Sequence, residues 1–549
     1  MRKSRLCRGL LTLAISVAGV VWTTVSLQAD PSPPGSAVTR AAADTESAAF
    51  QNASDDLTLW INGQFQLLWK QHQVTPEFCD DLTYLRRVSL DIIGRIPSVA
   101  EIREFEADRS PEKRARLVEK LLSDPQDSTR MSPLAAEHLA RIWRQVLLPP
   151  GASGAALGPE LESWLRDQFA SNIPYPQIIH QLLTARGEEA QKELQFYLAA
   201  GQTPEAQATE FSRAFLGIRI GCAQCHNHPF ADWKQQDFWG MAAFFSGLKL
   251  GRVRVVNNAV VQDDILNDDD AKGVISYEGV AYSAKVLWED RPVAIAADTR
   301  PRELLADWMT SAKHPTFSAN AVNRVWQALL GRGLVAAADD LDLEPAASRV
   351  LVDEFGRQFV AVHSDLRILV SSICRSEPYQ CVTFTTAGAA ADPQNGSRPL
   401  KAMSPEQMFA SLEQALSLPV SRTSGDAARH NGEMTQLVQR LGETAGRSPE
   451  EYIAGVPQTL MLMNGPLLAR ATDLEQSHTL RGVVEAPFLS DAERIEILYL
   501  ATLSRRPVKG ERERCLKEIQ NCSSETDRQS VFGNLLWALV NSPEFALCQ

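Results

Sequence analysis

The residues of this chain best disposed to do chemistry are Cys222-Ala223-Gln224-Cys225-His226. C-x-x-C-H is the attachment signature of c-type haem. Two thiols at that spacing add to the two vinyl groups of the macrocycle, and the adjacent imidazole reaches the iron as an axial ligand. The candidate cofactor is covalent haem c, with Cys222 and Cys225 as thioether donors and His226 as proximal ligand to the iron. Two other chemistries use the same atoms. Cys222 and Cys225 with His226 or His228 could form a zinc site completed by a fourth ligand from elsewhere in the chain. Alternatively, Cys222 and Cys225 form a disulfide or stay as inert thiols. His228 is a metal ligand only in the zinc case, because two residues after His226 it cannot easily reach the opposite face of a haem. Met241 and His314 are among the residues eligible as distal ligand.

The flanks of this motif are aromatic. Phe230, Trp233, Phe238, Trp239, Phe244 and Phe245 fall within sixteen residues, and they suit either the apolar wall of a macrocycle or the buried face of a helix. Weaker features read as structural. His138, His180, His363 and His430 are isolated, and Asp339-Asp340 with Asp342 and Glu344 reads as a solvated turn that lacks the EF-hand glycine. Walker, G-x-S-x-G and paired-glycine fingerprints are absent from the sequence.

The elements that must position the motif are mostly helical. Thr75-Pro76-Glu77 is an expected helix start, with Gly94 as its stop. Ser98-Val99-Ala100-Glu101, Ser404-Pro405-Glu406-Gln407 and Ser490-Asp491-Ala492-Glu493 are capping boxes. Ser110-Pro111-Glu112 and Thr203-Pro204-Glu205 open two more helices, and the second leads through Phe211 and Phe215 into Gly217 and the motif. Pro149-Pro150-Gly151 and Gly154 mark a loop, with helices expected over 160–171 and 175–184. Residues 249–298 change character. β-Branched residues concentrate there, Asn257-Asn258 and Glu278-Gly279 read as turns, and Asp268-Asp269-Asp270 reads as a solvated loop, so a small β insertion is expected.

The whole chain sets the compartment and the classes of partner. Its 549 residues are 44% hydrophobic and 22% charged, the usage of a globular protein. A net charge of −12 disfavours nucleic acid, whose affinity rests on neutralising phosphates with Lys and Arg. Arg2, Lys3, Arg5 and Arg8 precede an apolar stretch and the Leu27-Gln28-Ala29 site, the pattern of a cleaved signal peptide over residues 1–29. Export to the periplasm or beyond follows, with no membrane span after cleavage. Residues 30–55, rich in Pro, Ser, Ala and Asp, read as a flexible leader. Eight cysteines remain in the mature chain, in a compartment that permits disulfides.

Several separated motifs carry a resemblance to a known family. Leu85-Arg86-Arg87-Val88-Ser89-Leu90-Asp91-Ile92-Ile93-Gly94-Arg95-Ile96-Pro97 resembles the opening motif of a planctomycete cytochrome-like exported family with two paired domains of unknown function. Phe215-Leu216-Gly217, the run from Cys222 through Phe230, and Trp239 to Phe245 look like its cysteine core. Ala321-Val322-Asn323-Arg324-Val325-Trp326 to Gly331-Arg332-Gly333-Leu334 is similar to the start of its second domain. Leu462-Met463-Asn464-Gly465-Pro466, Leu503-Ser504-Arg505-Arg506-Pro507 and Leu539-Val540-Asn541-Ser542-Pro543-Glu544-Phe545 are similar to its end. The resemblance implies an exported, mostly helical protein of cytochrome-like character.

The expectation is a mainly α fold of two helical domains, 56–248 and 299–549, with the β insertion 249–298 between them. The expected function is haem-based electron transfer, or a haem-dependent redox step, with an unidentified redox partner. The alternative is a non-haem extracytoplasmic scaffold or polymer-binding protein with a structural Cys/His site.

Overall fold

The computed structural model describes residues 34–417 and 473–548, apart from short stretches at 149–151, 188–190, 252, 257–258, 263–265, 297, 313, 336–338, 384–391 and 476. The expected signal peptide, His430 and the Leu462–Pro466 motif lie outside the described residues.

The fold is mainly helical, as expected. In chain order, α1 is Pro34–His72, α2 Asp81–Ile93, α3 Val99–Ala107, α4 Lys113–Leu122, α5 Pro133–Leu147, α6 Ala152–Ala170, α7 Tyr175–Thr184, α8 Gln191–Ala200, α9 Pro204–Phe211 and α10 Gln235–Ala243. After the strands come α11 Pro301–Met309, α12 Pro315–Leu330, α13 Ala346–Ala361, α14 Leu366–Arg375, α15 Glu377–Gln380 and α16 Pro405–Leu416. Past the undescribed stretch follow α17 His478–Glu485, α18 Asp491–Leu503, α19 Lys509–Gln520 and α20 Glu525–Val540. Among the described residues no helix is long and apolar enough to cross a membrane.

Local chemistry sets many of these boundaries. Ser98, Ser404 and Ser490 each accept from the backbone N–H three residues on, and Glu101, Gln407 and Glu493 reach back to complete the box. Thr203 caps α9, and Gly94 ends α2 in the left-handed region at φ 70°. Other starts differ from expectation. The cap of α2 is Asp80, whose carboxylate accepts from Leu82 and Thr83. The Thr75-Pro76-Glu77 stretch instead precedes an extended segment, where Phe78 pairs antiparallel with Cys381. The expected loop at Gly154 is helical, because α6 starts at Ala152. The expected flexible leader is helical from Pro34, since its alanines are strong helix formers. Farther along α1, Phe50, Leu57, Ile61, Phe65 and Trp69 recur at helical spacing and are buried.

Among the described residues, six short strands occupy the start of the 249–298 segment, as three antiparallel pairs. β1 Lys249–Leu250 pairs with β4 Leu266–Asn267, β2 Val253–Val256 with β3 Ala259–Gln262, and β5 Val274–Tyr277 with β6 Val280–Ser283. Glu278 and Gly279, at φ 50° and 80°, form the tight turn of the third pair. The segment is tied into the helices around it. Leu266, Ala284, Val286 and Leu287 belong to the main core, and Asp268, expected in solvent, is 3% exposed and paired with Arg302 at 2.8 Å.

The packing does not divide at residue 299. One core runs from Phe50 to Cys381 and takes in Leu500, across both expected helical domains, and a second gathers Leu90 and Ile96 with other residues from Met403 to Cys548. Helix α2 serves both, and its polar residues join them. Arg86 donates to the carbonyls of Thr502 and Phe545 at 2.8 Å each. Arg87 donates to those of Tyr379 and Cys381. Asp91, fully buried, pairs with Arg398 at 3.2 Å and with Lys401, and accepts from the Tyr379 hydroxyl at 2.7 Å. Burial alone would raise the Asp91 carboxyl, but Lys401 and Arg398 outweigh it and hold it below its ordinary value. The short strand β7 Lys401–Ala402 pairs with β8 Leu547–Cys548 and closes this junction.

Candidate functional site

Helix α9 runs straight into a π-helical turn, Ser212–Leu216, which ends at Gly217 in the left-handed region at φ 64°. A π turn widens the backbone ladder and is frequent at functional sites. Its carbonyls are met from outside. The Arg213 carbonyl accepts from the Arg324 guanidinium at 2.8 Å, and that of Ala214 from the Asn320 amide at 2.9 Å. Both donors lie on α12, after the strands.

The motif follows as a 3-10 turn, Gly221–Gln224. Ala223 is fully buried beneath it, and Cys222, Cys225 and His226 are exposed, both cysteines as free thiols. The carbonyl of Gln224, between the two cysteines, accepts from the Trp239 indole and the Gln235 amide at 3.1 Å each. The Asn227 carboxamide oxygen accepts from the Gln235 backbone at 3.2 Å. These bonds fasten the turn to α10.

The two histidines are held in opposite senses. Nδ1 of His226 lies 2.7 Å from the Asn227 carbonyl. A carbonyl only accepts, so Nδ1 carries the proton and Nε2 presents a lone pair. Nδ1 of His228, half-buried, instead accepts from the backbone N–H of Phe230 and Ala231 at 3.2 and 2.9 Å. Its proton in the neutral state is therefore on Nε2, and the ring serves as a staple of its own loop. The His228 backbone N–H also donates to the Trp233 carbonyl at 2.8 Å.

The aromatic flank divides. Phe238, Trp239, Phe244 and Phe245 are core residues, at most 1% exposed, because α10 packs against α9 and the β5–β6 hairpin. Trp239 stacks on Tyr277 with ring centroids 4.2 Å apart. Only Phe230, 83% exposed, lies open beside the motif, whereas Trp233 is buried edge-on to Trp288. Met241 is fully buried. His314 caps α12 through Nδ1 and lies edge-to-face on Trp308 at 4.4 Å, and burial lowers its pKa to about 4.

The acidic run at 339–344, expected as a solvated turn, instead packs beside the site and pairs with its arginines. The Leu341 N–H donates to the Gly217 carbonyl at 2.7 Å. Asp339 pairs with Arg324 at 2.7 Å and with Arg213 and Arg219 at 3.4 Å each. Burial acts to raise its carboxyl, and Arg324 and Arg213 outweigh it and hold it low. Asp340 accepts from the Arg219 backbone and lies within electrostatic reach of His228, with burial pushing its carboxyl up. Burial also raises Asp342, which is paired with Arg349 and hydrogen-bonded by the Trp233 indole. The signal available in sequence was charge alternation, Arg213, Arg219 and Arg324 against Asp339, but the separation of up to 126 residues hid it. Of the isolated histidines, His138 is buried under Gly94, and burial lowers its pKa to about 3. His180 reaches Asp307 at 3.1 Å, and His363 is exposed.

Residues 61–249 match the family PSCyt2, described as a protein of unknown function (DUF1549), and residues 301–448 match PSD1, likewise of unknown function (DUF1553). The chain pairs these two domains. The Cys/His turn falls inside the first match, and Asn320, Arg324 and Asp339, which hold the 213–219 stretch leading into it, fall inside the second. No curated protein and no solved structure matches the chain.

Proposed function

We propose that this chain is an exported cytochrome-like protein that binds c-type haem covalently through Cys222 and Cys225, with His226 as proximal ligand. The observation that carries the reading is the His226 tautomer. Its Nδ1–H is committed to the Asn227 carbonyl at 2.7 Å, so Nε2 is the basic nitrogen an iron needs, and the backbone hydrogen bond fixes the ring. The two thiols are free, exposed and held on a turn fastened at the carbonyl between them. Each would add across a vinyl group, the sulfur forming a carbon bond and the thiol proton ending on the neighbouring carbon. When bound, the haem supplies a one-electron couple whose potential the axial ligands and surroundings set. The chain's own residues present the thiols, orient the imidazole and close the inner side of the turn with Ala223 and Trp239. Export through residues 1–29 brings the thiols to the compartment where thioethers are made, and the task of the protein there is electron transfer or a haem-dependent redox step.

Zinc through Cys222, Cys225 and His226 or His228 is less well supported. Among the described residues no three Cys, His, Asp or Glu side chains are grouped as ligands. Recruiting His228 would need Nε2 to lose its proton and Nδ1 to give up its two backbone donors. The test is denaturing-gel haem staining of wild type and Cys222→Ala/Cys225→Ala, after expression with a periplasmic haem-attachment system. Pigment in the first and none in the second is expected, and stoichiometric zinc without pigment refutes the reading.

A further inference from the structure

We propose that Arg324 and Asp339, both from the second matched region, are positioning residues for the Cys/His turn of the first, acting through the π-helical turn Ser212–Leu216. The proposal rests on the haem reading for its functional consequence, whereas its structural core stands without it.

Three features of the geometry lead to it. A π turn leaves carbonyls poorly served by its own ladder, and here two of them are taken by α12, with Arg324 on Arg213 and Asn320 on Ala214. The same Arg324 guanidinium binds the Asp339 carboxylate, so one side chain spans the π turn and the acidic loop. Asp339 in turn holds the side chains of Arg213, inside the π turn, and Arg219, three residues before Cys222. The Leu341 N–H closes the loop on Gly217, where the backbone reverses. The stretch from Arg213 to Arg219 is thus gripped at both ends and in the middle by the second region. Lysine at 324 cannot replace the planar fork, because an ammonium lacks its fixed geometry. Asparagine at 339 fills the space but removes the charge that three arginines share. The stretch that leads into the turn bearing Cys222, Cys225 and His226 is held by both regions.

The experiment uses the full-length chain carrying Asp339→Asn or Arg324→Lys. Hydrogen exchange of amides in 212–225 of the haem-free protein should rise about tenfold, with exchange in 491–540, in the other core, unchanged. Alkylation of Cys222 and Cys225 should lose any difference in rate between them. In protein matured with haem, the variants should accumulate single-thioether product, read from the haemochrome α-band and by mass spectrometry. Wild-type exchange in 212–225 together with wild-type thioether content would overturn the proposal. An equal rise in 212–225 and 491–540 would also overturn it, reducing the pair to ordinary core residues. If wild type carries no haem, the haem reading fails, and exchange and alkylation still decide whether the pair positions the turn.

Discussion

Asp91→Asn is the perturbation that best tests how α2 joins the two cores. The substitution keeps the shape and a hydrogen-bond acceptor for Tyr379 but leaves Arg398, fully buried, and Lys401, mostly buried, without their carboxylate. Removing one partner of a buried pair costs about 3–5 kcal/mol. The retained Tyr379 bond offsets about 1 kcal/mol, so a net loss of roughly 2–4 kcal/mol is expected. The assay is guanidinium unfolding followed by tryptophan fluorescence, with exchange mapping to locate the loss in residues 401–417 and 478–548. The pH dependence has a definite sign. The folded carboxyl is depressed, so its contribution is present above the ordinary aspartate pKa and is lost as pH falls through the lower folded value. Asp91→Asn should therefore remove that part of the acid-induced loss. Asp91→Leu with Arg398→Met and Lys401→Met should recover stability relative to Asp91→Asn alone, because no charge is then stranded. An Asp91→Asn midpoint equal to that of the exposed-site control Glu112→Gln would refute the reasoning.

Arg302→Met should cost about 3–5 kcal/mol by stranding buried Asp268, read as a lowered unfolding midpoint, and would show that the strand-bearing segment is integral to the first core. Gly240→Ala should cost about 1–3 kcal/mol by overpacking, since the added Cβ would meet Lys285 Cβ at 2.7 Å, measurable in the same titration. His138 is held neutral by burial, with its pKa lowered to about 3, so stability is full above the unfolded value of about 6.5 and falls as pH drops between the two. His138→Gln should flatten the pH 4–6 limb of a thermal-denaturation profile. His228→Ala should leave covalent haem in place on a stained gel, since Nδ1 is spent on its own loop.

Local chemistry was legible in the sequence and distant pairing was not. The capping boxes at Ser98, Ser404 and Ser490 and the Glu278-Gly279 turn could be read because every partner lies within a few residues. The leader was misread because a composition of Ala, Ser and Asp suits a helix as well as a loose chain. Arg86, Arg87 and Asp91 lie on a helix whose leucines and isoleucines show its period. Their partners, between Tyr379 and Phe545, lie hundreds of residues away. Asp268 and Asp339 looked solvated for the same reason, because neither Arg302 nor Arg324 is adjacent in sequence. At the site, the motif itself was explicit, whereas the His226 tautomer and the loss of most aromatic flanks to the core required coordinates.

The most direct measurement is the absorption spectrum of full-length protein, expressed with a periplasmic haem-attachment system, together with denaturing-gel haem staining and metal analysis of the same preparation. The account predicts one covalent haem per chain, abolished by Cys222→Ala/Cys225→Ala and perturbed in iron coordination by His226→Ala. Stoichiometric zinc without covalent pigment, or Cys222 and Cys225 joined as a disulfide with neither metal nor pigment, would contradict it.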